Sequence, residues 1–172
     1  DKMFSRIFIL LFTFISTLTS PLFAAENDDA LGRFRDWYAA AYTDGGRTIC
    51  YMVSLPKAET GDYTRRGPAY VRVTRPKGDN GPDVVSLEAG YPFAEGAEIE
   101  VAIDGTTFSL FTQGETAWAY DSAGDRELSK AMASGAKMIV RGTSARGTAT
   151  TDTYSLMGFS AARNAMAEAC GE

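Results

Sequence analysis

The sequence predicts a mainly β protein: a single antiparallel β-sandwich or barrel-like domain with two short helices, preceded by an apolar segment at the amino terminus. Three observations lead there. Short stretches of alternating apolar and polar residues recur at regular spacing between residues 69 and 120, the period-two pattern of half-buried strands. Turn-forming residues such as Asp104-Gly105 and Gln113-Gly114-Glu115 separate them. Only two later stretches, 125–134 and 161–169, carry apolar residues at helical spacing. Many short strands with few helices are the pattern of a sandwich or barrel.

The first element is residues 1–25. Lys2 and Arg6 supply positive charge ahead of an apolar run that includes Ile7, Phe8, Leu10, Leu11, Phe12, Phe14, Ile15, Leu18, Leu22 and Phe23. Pro21 and the small step Ala24-Ala25 lie towards its end. Charge, apolar run and small residues in that order read as a bacterial secretory signal peptide cut after Ala24 or Ala25. The same segment also reads as an uncleaved membrane anchor. At ~1.5 Å per residue, residues 7–25 extend roughly 28 Å, close to the ~30 Å hydrocarbon core. Either way the β-rich domain, residues 26–172, is expected in the periplasm or cell envelope, anchored to the inner membrane if the segment is retained.

Residues 26–30 read as a polar linker. Runs 34–42 and 47–55 are apolar-rich and joined by Thr43-Asp44-Gly45-Gly46, a hairpin signal. Pro56 ends the second run, and 57–68 reads as an exposed loop. In 69–75, Val71 and Val73 share one face while Tyr70, Arg72 and Thr74 share the other. Runs 84–89, 98–103, 107–112 and 116–120 continue as a meander of short strands. Leu128, Ala131 and Met132 place a helix over 125–134, stopped by Gly135. Runs 137–142 and 148–157 read as strands around a 143–147 loop. Ser160 is placed to cap a last helix, 161–169, with Ala165, Met166 and Ala169 facing the core. Trp37, Trp118, Phe93, Phe108, Phe111 and Phe159 read as core positions, with interface use as the alternative.

The chain carries a net charge of −5. The leader is itself net positive, so the remaining domain is more acidic still, which argues against nucleic acid as a partner. The two cysteines, Cys50 and Cys170, form a disulfide in an oxidising compartment or remain two buried thiols. With no CxxC spacing and no histidine in the sequence, metal, redox and His-dependent nucleophilic chemistry are disfavoured. No P-loop, dinucleotide-binding or EF-hand pattern occurs; residues 142–147 read as an inter-strand loop. No catalytic residue, metal or cofactor is therefore expected. Asp121 and Asp125 suit a helix start, and the run of Thr148, Thr150, Thr151, Thr153 and Ser155 suits a strand. Tyr63, Arg65, Arg66, Tyr70, Arg72, Arg75 and Lys77 cluster within a short stretch. They read either as a solvated loop and strand face or as a contact patch for an anionic partner or lipid head groups.

The blocks Arg65-Arg66-Gly67, Ala89-Gly90-Tyr91-Pro92-Phe93, Ile103-Asp104-Gly105, Leu110-Phe111-Thr112 and Ala117-Trp118 occur in that order. Gly142-Thr143-Ser144-Ala145-Arg146-Gly147-Thr148, Thr151-Asp152-Thr153-Tyr154-Ser155-Leu156 and Gly158-Phe159-Ser160-Ala161-Ala162 follow. Together they resemble the invasion-associated locus B family of exported bacterial proteins, over about residues 37–170. The resemblance implies a compact exported β domain with no established catalytic activity, and a cysteine pair matched by Cys50 and Cys170. Three functions are therefore weighed: a non-enzymatic envelope module that binds a protein partner, a signal-anchored accessory subunit of a membrane complex, and an enzyme with unfamiliar residues. The first is expected.

Overall fold

The computed structural model describes residues 28–79 and 81–171. The predicted leader or anchor, residues 1–25, lies outside them. Among the described residues no helix is long and apolar enough to cross a membrane.

Eleven strands and two helices follow one another among these residues. They are β1 (Asp29–Phe34), β2 (Trp37–Asp44), β3 (Arg47–Ser54), β4 (Ala58–Gly61), β5 (Tyr70–Pro76), β6 (Val84–Glu88), β7 (Glu98–Ile103), β8 (Thr106–Gln113), β9 (Thr116–Trp118), α1 (Ser122–Ser134), β10 (Lys137–Thr143), β11 (Ala149–Ser155) and α2 (Phe159–Cys170). The strands form one sheet in the order β1-β2-β3-β5-β6-β9-β8-β7-β10-β11-β4, and every pairing is antiparallel. Val73 and Val85 from one half of that order share a core with Val101, Val140 and Tyr154 from the other. Leu128 and Met132 of α1 and Phe159 and Met166 of α2 join them. The sheet therefore curls around one interior but stays open, with β1 and β4 as terminal strands. Each fully buried aliphatic side chain contributes roughly 1.5–3 kcal/mol.

The two ends of the curled sheet are tied together. The Trp37 indole N–H of β2 donates to the Ser155 carbonyl of β11 at 3.2 Å, and the Asp36 carboxylate beside β2 pairs with Lys57 beside β4. The Trp37 ring packs edge-on against Phe159, centroids 5.0 Å apart.

Most predicted strands are present, and the Asp44-Gly45-Gly46 hairpin closes with both glycines at positive φ. Four features differ. The run 34–42 is broken by a two-residue turn at Arg35-Asp36, and β1 extends upstream into the supposed linker. Arg35 holds φ 55° there without glycine or asparagine to signal it, because tertiary contacts hold the turn. Asp36 donates its amide to the Met157 carbonyl and accepts at its own carbonyl from Ser54 Oγ, and its carboxylate pairs with Lys57.

Second, β4 lies inside the predicted 57–68 loop. Its four residues are all exposed, so it carries no apolar alternation and exists as a strand only through its ladder with β11. Third, the strands are not a simple meander: β6 pairs with β9 and β7 with β10. Fourth, both helices start earlier than their patterns implied. Asp121 caps α1 by accepting the Gly124 amide at 2.8 Å. Gly158 leads α2 at φ 97°, where a Cβ would meet the Phe34 carbonyl at 1.9 Å. Ser160 instead donates to the Ala133 carbonyl.

The aromatic residues divide between faces. Trp37, Phe93 and Phe159 are buried, and Phe108 packs at the core margin. Phe111 and Trp118 form an outer ladder with Tyr120, with centroid spacings of 5.7 and 5.4 Å.

Candidate functional site

Three segments distant in sequence meet at one end of the barrel-like body. Residues 62–67 follow β4, residues 90–92 follow β6, and residues 144–150 comprise the connection from β10 and the first two residues of β11. Between them lies a cleft of about 700 Å³, within the size range of ligand-binding sites. Its lining combines Tyr63, Tyr91 and Pro92 with Thr64, Thr148 and Thr150, and with the charged residues Asp62, Arg65, Arg66 and Arg146.

The walls are stitched by backbone hydrogen bonds. The Gly67 amide donates to the Gly90 carbonyl at 2.8 Å, and the Ala145 amide donates to the Pro92 carbonyl at 2.8 Å. Gly90 sits at φ 71°, and a Cβ there would lie 2.2 Å from the Gly67 carbonyl oxygen. Only glycine allows this approach. The third wall closes on itself around buried Ser144, whose amide donates to the Thr148 carbonyl at 2.9 Å. Its hydroxyl accepts from the amides of Arg146 and Thr148.

Arg66 is the centre of the floor. Its guanidinium donates from Nη1 and Nη2 to both carboxylate oxygens of Asp152 at 2.6 Å. From Nε it donates to the Ala89 carbonyl at 2.7 Å. The side chains of Arg66 and Asp152 are 4% and 5% exposed, so their charges are withheld from solvent and cancel each other. Glu59 adds a contact at 3.4 Å. The rings of Tyr63 and Tyr91 face the guanidinium at 5.6 and 5.1 Å, a cation–π arrangement that favours arginine over lysine. Burial works against the charged guanidinium, but Asp152 outweighs it and holds Arg66 above the ordinary arginine range. Burial pushes the Tyr91 phenol up as well, opposed by its contacts with Thr150 and Arg66. Its hydroxyl shares a 2.6 Å hydrogen bond with Thr150 Oγ1.

The basic cluster seen in the sequence is divided among three places. Tyr63, Arg65 and Arg66 reach the cleft. Tyr70 and Arg72 lie on the outer face of the β2–β3–β5 part of the sheet, where Arg72 stacks over Tyr51 and Tyr70 at 5.2 and 5.6 Å. Arg75 is buried at the opposite end, with its Nε 2.6 Å from Asp83. Lys77 is exposed in the turn beyond it. Sequence reasoning missed Tyr91, Ser144, Arg146, Thr150 and Asp152 as neighbours of Arg66. The available signal was that most of them fall in the blocks on which the family resemblance rests.

Cys50 and Cys170 form a disulfide across 120 positions, and both are buried. A disulfide-stapled, curled antiparallel sheet with a stitched loop cleft defines a small, mainly β class of domain. Residues 37–167 match the family model described as Invasion associated locus B (IalB) protein, and the chain belongs to that family. The crystal structure of invasion associated protein b from Bartonella henselae is similar in fold, with a TM-score of 0.55 at 16% identity. That likeness covers 80% of this chain and 95% of the other. No curated protein matches the sequence.

Proposed function

We propose that this protein is a non-enzymatic, exported interaction module of the bacterial envelope, and that it holds a protein partner in the cleft between residues 62–67, 90–92 and 144–150. The observation that carries this reading is the cross-linking of the cleft walls by hydrogen bonds. The walls are joined through their backbones, and the cleft's buried ion pair and the rings of Tyr63 and Tyr91 are spent on structure, with Thr64, Arg65 and Arg146 exposed at the rim. Preformed walls lower the ordering cost of binding. The leader-like amino terminus supports export, and the disulfide suits an oxidising compartment.

A photoreactive residue placed at Thr64 in the full chain, in native cells, tests this. The expected result is a discrete protein adduct in the envelope fraction, with none from the same residue at Lys77 on the opposite end. No adduct at Thr64, or equal adducts at both positions, overturns the reading.

A further inference from the structure

We infer that the occupant of this cleft is an extended acidic peptide segment of the partner, with carboxylates received by Arg65 and Arg146. This rests on the interaction reading above and adds the chemistry of what is bound.

The argument begins with which charges are available. Arg66 is consumed by Asp152 and, more loosely, by Glu59. Arg65 and Arg146 are exposed, and among the described residues neither makes an ion pair. With Arg66 neutralised by Asp152, the unpaired cations Arg65 and Arg146 face one acidic lining residue, Asp62, in a chain of net charge −5. A locally positive cleft on a negative protein attracts and orients an anionic ligand. Guanidinium groups match carboxylates in shape and bind them through paired, charge-assisted hydrogen bonds.

The extended form of the ligand follows from the sheet. Arg65 and Arg146 stand on different walls, so they suit charges spread along a chain. The wall bearing Arg65 continues directly from β4, the terminal strand of the sheet. Among the described residues β4 pairs with β11 on one side only, and all four of its residues are exposed. A terminal strand presents main-chain donors and acceptors to an added strand. A peptide laid along β4 would gain backbone hydrogen bonds there and carry its side chains into the cleft beside Tyr63 and Tyr91.

The test uses the full disulfide-bonded chain and a short fluorescent peptide of alternating Glu and Thr, compared with its Gln-Thr counterpart by polarisation at low salt. Saturable binding of the Glu peptide is expected, weakened about tenfold by Arg65→Glu and by Arg146→Glu, the loss of one charge-assisted contact each. Lys77→Glu, which makes the same charge change at the other end, should leave binding unaltered. Thermal melts confirm that all three variants fold, as expected for exposed side chains. Equal binding of the Gln counterpart overturns the proposal, as does equal weakening by Lys77→Glu. Saturable uptake of inorganic phosphate or anionic phospholipid vesicles without peptide binding also overturns it. A Thr64 adduct without acidic-peptide binding removes this proposal alone; absence of both removes the interaction reading too.

Discussion

At the end of the body that carries the helices, closure is covalent and apolar. Cys170, the last residue of α2, is bonded to Cys50 on β3, and Met166 and Phe159 of the same helix enter the core. Asp83, 0% exposed, is neutralised from two sides by Arg75 and Arg163 at 2.6 Å. At the opposite end, among the described residues, no helix covers the loops. The walls there are held by backbone hydrogen bonds and by the Arg66–Asp152 pair, and the space between them stays open. Both ends bury an arginine–carboxylate pair, but at the loop end exposed Arg65 and Arg146 stand at the rim of a cleft of about 700 Å³, against about 390 Å³ for the hollow around Arg75, Asp83 and Arg163. The two ends of one small sheet are thus held differently: by a disulfide, helices and apolar packing at one, and by hydrogen bonds between loops at the other.

The largest effect expected at the helix end comes from removing the disulfide by Cys50→Ala with Cys170→Ala. Freeing so long a loop in the unfolded chain should cost about 4 kcal/mol, read as a fall in the urea midpoint under oxidising conditions. The cleft stitching should survive at low denaturant, with acidic-peptide binding retained. A negligible shift would erase the contrast between the two ends.

The loop end should answer differently. Asp152→Ala leaves Arg66 buried without its countercharge and should cost about 3 kcal/mol. Joint replacement, Arg66→Met with Asp152→Leu, should recover most of that stability, because apolar pairs often substitute well for buried ion pairs. Equal instability of the single and double variants would show that the pair is needed for the fold itself and not for the shape of the cleft.

The smallest effect concerns pH. Asp125 of α1 accepts the Val85 amide at 3.0 Å, but its burial pushes the carboxyl above the ordinary value of 3.8. The folded state therefore binds this proton more tightly than the unfolded state does. The stabilisation this gives is present at low pH and lost as pH rises through the folded-state value. Asp125→Asn keeps an oxygen for Val85 and removes the titration. The variant should match or exceed the parent by under about 1 kcal/mol at pH 7, with the advantage vanishing towards about pH 4. An advantage that grows on acidification would contradict this account.

Residues whose partners are local were legible in the sequence. Alternation located β5 to β9, and the Asp-Gly-Gly turn located the β2–β3 hairpin. Parity along β5 also carried information that counting charges obscured. Arg75 shares the odd-numbered face of Val71 and Val73, so it points inward, whereas Arg72 points outward with Tyr70. Residues whose state depends on distant partners were not legible. β4 has no pattern apart from its ladder with β11, and the left-handed backbone at Arg35 depends on Met157 and Ser54. Asp152 read as one polar residue in a threonine-rich strand, because its partner lies 86 positions away.

By itself, the sequence determined the fold class, most strand positions, the family and the cysteine pair, because period-two burial, turn chemistry and motif order are all written along the chain. Among the described residues, tertiary structure alone decided which basic residues are exposed without an ion-pair partner and which are internal fastenings. It also decided that three loops form one cleft. The physical reason is that an ion pair, a burial state or a cavity wall belongs to neighbours in space, and an antiparallel sheet that pairs β6 with β9 and β4 with β11 chooses those neighbours far from their order in the chain.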